Sequence, residues 1–295
     1  MTIGIYSGEF QTAYGYEKAF DGLRKIGYDA VDFTLGDWKK PNLAFKESRK
    51  VWTAEFKRAR AALDAAGMFA SQSHATFPTD ISGEGRLTDA YLDEFKKEIE
   101  AAAIIGSPYI VIHPINLAML EKDKERDFEV NMESFGRLEP VLREFDMQLG
   151  VENMFGWDPM RSRRCPTGCS LPEDMIRYID SMHSDRFVAC LDTGHMNINS
   201  VNPATAVRKL GSRLKLLHVH DNYGVNDEHS APTQGTIDWH DFAAALAEIG
   251  YDGCFNMEVI ARHPAALDPE LTWDYARYAY ACAKKIVALS ILQNK

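Results

Sequence analysis

The stretch Phe187-Val188-Ala189-Cys190-Leu191-Asp192-Thr193-Gly194-His195 decides the fold. Its apolar run has no polar face, as expected of a strand in a parallel sheet covered by helices on both sides. The run then stops abruptly in polar residues. A helix is predicted soon afterwards at 203–210, and a second apolar strand at 214–220. Outward in both directions the alternation repeats. Strands are predicted at 3–7, 30–34, 69–74, 109–113, 148–153 and 254–259. Helices are predicted at 17–26, 53–66, 88–105, 128–145, 172–182, 239–249 and 269–292. Gly27, Gly67, Gly106 and Gly250 stand where helices should stop. Eight strand–helix units argue for a parallel sheet closed into a (β/α)8 barrel. An open doubly wound sheet is the runner-up, weakened because no G-x-G-x-x-G follows a strand. With no linker or low-complexity tract, one domain is expected over 1–295.

The length of 295 residues accommodates a barrel of roughly 250 residues with its loops. Lys+Arg number 33 and Asp+Glu 43, a net charge of −10. That balance argues against a nucleic-acid or anionic-membrane partner, since phosphate recognition leans on clustered Lys and Arg. No run of about 18 apolar residues predicts a membrane span. Residues 1–9 lack the basic and apolar regions of a secretory signal, so a cytoplasmic location is expected. The odd set Cys165, Cys169, Cys190, Cys254 and Cys282 does not look like a disulfide framework, and reduced thiols are expected.

The chemistry of such a barrel sits where its strands end. The third strand ends at His74 and the fourth at His113. The fifth ends in Glu152-Asn153 and the sixth in Asp192-Thr193-Gly194-His195. The seventh ends in His218-Val219-His220-Asp221-Asn222 and the eighth at Glu258. Carboxylate oxygen mixed with imidazole nitrogen is what hard and borderline divalent metals bind. Glu152 and Glu258 close apolar strands, where a charge needs a partner or its pKa moves. A cation between them would supply one.

The order of these pieces, with Gln234-Gly235-Thr236-Ile237-Asp238-Trp239 and Gly250-Tyr251-Asp252-Gly253, resembles the xylose isomerase-like TIM barrels. That superfamily holds sugar isomerases and 3-epimerases, inosose dehydratases and endonuclease IV. The resemblance implies a single divalent ion held by Glu152, Asp192, His218 and Glu258. Manganese is the first choice, and Mg²⁺, Co²⁺ and Zn²⁺ also suit the set. His218 is chosen over His220 because only His218 has Asp221-Asn222 at the family's His-x-x-Asp-Asn spacing. The resemblance further implies that Glu152 and Glu258 are catalytic, exchanging a proton α to a sugar carbonyl through an enediolate. His74, His113, His195 and His220 are then expected to contact a small sugar substrate, phosphorylated or not. Trp38 and Trp157 are candidate walls for it.

The nuclease branch implies a competing ligand set for up to three zinc ions, adding His74, His113, His195, Asp227 and His229 to the quartet. The net charge and the absence of a dense basic-aromatic stretch weigh against it. An inosose dehydratase-like lyase and a barrel that binds metal and sugar without turnover are further alternatives. A homo-oligomer is compatible with the apolar C-terminal helix.

Overall fold

The computed structural model of the chain describes residues 1–36, 43–77, 87–116 and 124–293. Its strands are β1 (Ile3–Tyr6), β2 (Ala30–Thr34), β3 (Phe69–His74), β4 (Tyr109–Ile112), β5 (Gln148–Glu152), β6 (Gly156–Asp158), β7 (Arg163–Cys165), β8 (Phe187–Asp192), β9 (Leu214–His218) and β10 (Phe255–Met257). The helices are α1 (Gly8–Ile26), α2 (Arg49–Ala66), α3 (Asp89–Ile105), α4 (Lys124–Glu144), α5 (Pro172–Ser181), α6 (Thr193–Ile198), α7 (Pro203–Leu210), α8 (Trp239–Glu248), α9 (Arg262–Leu267) and α10 (Leu271–Gln293). Eight parallel strands lie in the order β10-β1-β2-β3-β4-β5-β8-β9. The ring closes where the Val219 N–H donates to the Asn256 carbonyl (2.8 Å) and the Glu258 N–H to the Val219 carbonyl (3.0 Å). The expected (β/α)8 barrel is therefore the observed one.

Side chains two apart on a strand face the same way. Val111, Cys190 and Leu216 form one buried apolar cluster with Val188. A Cβ on Gly150 would meet Leu216 Cδ1 at 2.4 Å, so the glycine gives that leucine its present place. Two residues further along the same strands stand His113, Asp192, His218 and, after Gly150, Glu152. The period of the strand thus carries the polar residues from a packed apolar layer to the C-terminal rim.

Several elements differ from the expectation. Helix α1 starts at Gly8 rather than 17, and a kink at Gly15 (φ 71°, ψ 167°) separates its unexpected first part from the predicted part. Residues 193–198 form a helix after β8, and β6 and β7 pair as an antiparallel hairpin after β5. Both are too short for a periodic signal. Strand β9 ends at His218, so His220 lies beyond it. On α10, Ile286 and Val287 are buried, whereas Ile291 and Leu292 are exposed. Among the described residues no disulfide forms, as expected of this odd set of cysteines. Among the described residues, no helix is long and apolar enough to cross a membrane.

Candidate active site

Glu152 ends β5, Asp192 ends β8, His218 ends β9 and Glu258 follows β10. One ligand atom from each lies within 4.8 Å of those of the other three. His218 Nδ1 is 3.1 Å from Glu152 Oε1 and 3.5 Å from Glu258 Oε2. On the far side of the ring, Nε2 lies 2.9 Å from Asp32 Oδ2, and both residues are fully buried. The turn after β8 is fixed by its own sequence. Asp192 caps α6 by accepting from the His195 N–H at 2.6 Å. Asn153 accepts from the Asp192 N–H (2.8 Å) and donates to the Asp192 carbonyl (3.0 Å), tying the ends of β5 and β8 together.

Asp221 and Asn222 serve the loop rather than the cavity. Asp221 accepts from the N–H groups of Thr233 and Ile237 and from the Trp239 indole, which clamps 233–239 against the barrel. Asn222 donates to the Gly194 carbonyl. A Cβ on Gly194 would stand 2.0 Å from the His220 ring, so this glycine lets His220 pack behind Asp192, with Nε2 3.0 Å from Asp192 Oδ2. His220 is fully buried there rather than on the cavity wall.

A cavity opens beside the quartet, with Glu152, Glu258, His74, His113, His195, Asp227 and His229 on its wall. His74 Nε2 and His113 Nε2 lie 3.5 and 3.1 Å from Glu152 Oε2. His195 Nε2 and His229 Nε2 lie 3.5 and 3.0 Å from Asp227 Oδ2. His74, His195 and His229 each donate Nδ1–H to a backbone carbonyl, of Ala75, Asn153 and Glu258 respectively. Those bonds aim every Nε2 at a carboxylate. The structure therefore brings the quartet and the five additional candidates of the competing reading into one site.

The aromatic wall differs from the expected one. Phe77 stacks on His113 at 3.9 Å between ring centres, Phe155 lies edge-on to His195, and both line the cavity with Tyr6. Trp157 sits on the β6–β7 hairpin, 40% exposed, with the Arg164 guanidinium over its ring, and is not part of the wall. Trp38 lies outside the described residues. Asp32 escaped the sequence reading, although an aspartate inside Ala30-Val31-Asp32-Phe33-Thr34 was a readable signal.

Burial disfavours every charge in this cluster, so only paired charges persist. Burial opposes ionisation of Glu152, but His218 and His113 hold it well below the usual carboxylate range. Asp227 is likewise buried and held well down by His195 and His229. Burial would lower His229, yet Asp227 lifts it to about 9. His113 is pushed down to about 4, chiefly by burial. Glu258 is pushed up by burial. Glu152 Oε2, His218 Nδ1 and Glu258 Oε2 are buried without a hydrogen bond. Carboxylate oxygens plus one imidazole nitrogen, converging and unsatisfied, fit a hard or borderline divalent cation.

A family model described as the xylose isomerase-like TIM barrel matches residues 20–277. The chain belongs to that family. Within and around the family, it is 22% identical over 274 residues to a D-psicose 3-epimerase of Enterocloster bolteae, covering 92% of this chain and 86% of that one. A D-psicose 3-epimerase solved in the presence of D-fructose superposes with a TM-score of 0.77, at 17% identity, over 98% of this xylose isomerase-like barrel and 100% of that chain. An IOLI protein with a bound zinc atom superposes with a TM-score of 0.72, at 19% identity, over 98% of each chain.

Proposed function

We propose that this xylose isomerase-like barrel is a divalent-metal-dependent sugar isomerase or epimerase that moves a proton α to a carbonyl, acting on a ketose. The observation that carries this reading is the approach of two carboxylates, Glu152 and Glu258, to one nitrogen of His218 beneath a cavity that both line. The 3-epimerase relatives support the same reading.

Glu152, Asp192, His218 and Glu258 would hold the ion. When bound, it would polarise the substrate carbonyl and stabilise negative charge on its oxygen. Glu152 and Glu258 come from different strands of the barrel, and a substrate carbon seated between them would meet one carboxylate on each side. One takes the proton from the carbon next to the carbonyl and the other returns one. Return to the opposite face of that carbon inverts it, which is epimerisation. Return to the neighbouring carbon moves the carbonyl, which is isomerisation. His74, His113 and His195 supply donors and acceptors for sugar hydroxyls, while Phe77 and Phe155 pack against its C–H face.

The test is exchange of solvent deuterium into D-psicose or D-fructose with Mn²⁺ present. Deuterium at the carbon beside the carbonyl, lost in Glu152→Gln and Glu258→Gln, is expected. No exchange into any ketose by the metal-loaded wild type overturns the reading. A second reading has its own observation: His74, His195 and His229 are oriented by backbone carbonyls as metal-ligating histidines are. Three zinc ions and cleavage of an abasic-site duplex would favour phosphoester hydrolysis instead.

A further inference from the structure

We propose that Asp32 is a positioning residue that selects which nitrogen of His218 faces the metal site and sets how tightly that site holds its ion. The inference rests on the metal reading above and adds a residue to it. Asp32 lies on β2, inside the barrel and one layer below the rim, and is fully buried. Its Oδ2 receives His218 Nε2 at 2.9 Å, Gln72 Nε2 at 2.9 Å and Asn256 Nδ2 at 3.3 Å. These donors come from three other strands, β9, β3 and β10. Barrel interiors are ordinarily filled by branched aliphatic side chains, and a lone buried carboxylate is costly. Here Gln72 and Asn256 aim the carboxylate, and the carboxylate aims the imidazole.

The consequence is chemical. A neutral imidazole carries one N–H, and the partner of that N–H fixes the tautomer. Asp32 accepts it from Nε2, which leaves the Nδ1 lone pair directed between Glu152 Oε1 (3.1 Å) and Glu258 Oε2 (3.5 Å). A carboxylate behind a ligating imidazole also makes the ring a better donor, and removing such a partner typically weakens metal binding about 10–100-fold. In Asp32→Asn, Gln72 and Asn256 still require an acceptor at the Oδ2 position. The amide oxygen therefore stays there, and the change removes charge while keeping shape and hydrogen bonds.

The experiment titrates Zn²⁺ against a competing chelator for the wild type, Asp32→Asn and Gln72→Met, and reads the imidazole nitrogens of the zinc-loaded proteins by long-range ¹H–¹⁵N correlation. The wild type is expected to show His218 metallated at Nδ1 and protonated at Nε2. Asp32→Asn is expected to bind about 10–100-fold more weakly, with the unfolding midpoint of the metal-free protein close to wild type. Gln72→Met frees the carboxylate from one of its guides while keeping its charge. It is expected to weaken binding about threefold or more, and carries the test alone if Asp32→Asn does not fold. If the wild type takes up no ion, the metal reading itself has failed. If the wild type binds zinc and the folded variants match its affinity, or if His218 is metallated at Nε2, the metal reading survives and the role of Asp32 is overturned.

Discussion

Two sets of histidines meet at this site, and they are held differently. His218, in the quartet, is backed by the buried carboxylate of Asp32 and presents Nδ1. His74, His195 and His229, on the rim, are backed by neutral backbone carbonyls and present Nε2. A carboxylate behind the ring strengthens a ligand more than a carbonyl does. The quartet also gathers several carboxylates around one imidazole, whereas the outer rim gathers two imidazoles around Asp227. On the proposed reading the deep set would hold a resident cation, and the rim would make contacts that come and go with substrate or hold a weaker ion.

Breaking the deep set should have the largest effect. Glu152→Gln and Glu258→Gln should each cut turnover at least about 10³-fold, since in the proposed mechanism each is a proton carrier as well as a ligand. Circular dichroism and the thermal midpoint should stay near wild type; near wild-type rates in either variant would sink the two-carboxylate mechanism. His218→Ala should next abolish stoichiometric metal content. His220→Ala should retain the ion with a lower affinity, because on this reading His220 acts through Asp192, with its Nε2 3.0 Å from Asp192 Oδ2, rather than on the ion itself. The opposite ranking, read by metal analysis of the purified variants, would move the ligand to His220. The rim is sharper to probe with Asp227→Asn. Wild type should bind one ion tightly and any further ion more weakly, and this substitution should remove only the weaker phase of a zinc titration. Loss of the tight phase would mean that the two sets are one site.

Much of the deep set was legible because its residues end apolar strands. The alternation of strands and helices gave the barrel, and the C-terminal ends of its strands pointed to Glu152, Asp192 and His218. The partners of those residues were harder to read. Asp32 lies 186 residues from His218 in the chain, and only closure of the barrel brings them together. Phe77 and Phe155 sit in irregular segments after β3 and β5, where no periodicity says which way a ring points. Trp157 looked like a sugar wall by residue type, but the β6–β7 hairpin turns it to the outside. In the doubled histidine of His218-Val219-His220, the missing side chain of Gly194 gives the His220 ring its place beside Asp192, a packing contact that no sequence pattern announces.

The smallest effect concerns a carboxylate that lacks what Glu152 has. Glu98, on α3, is as buried as Glu152 but faces no imidazole at hydrogen-bonding distance; it accepts from the Thr76 N–H and is bonded to the Thr76 hydroxyl. Burial therefore wins over these bonds, and Glu98 is pushed up to about 7. A carboxyl whose folded pKa lies above its unfolded value of 4.5 contributes stability that is complete below pH 4.5. That contribution is lost as pH rises through the folded value. Between pH 4.5 and 8 the loss amounts to about 3 kcal/mol. Glu98→Gln imitates the protonated form, so it should remove this dependence. The variant should match wild type in urea unfolding near pH 5 and exceed it near pH 8. Equal slopes for the two proteins would mean that Glu98 stays ionised in the folded chain, held by Thr76 as firmly as Glu152 is held by its histidines.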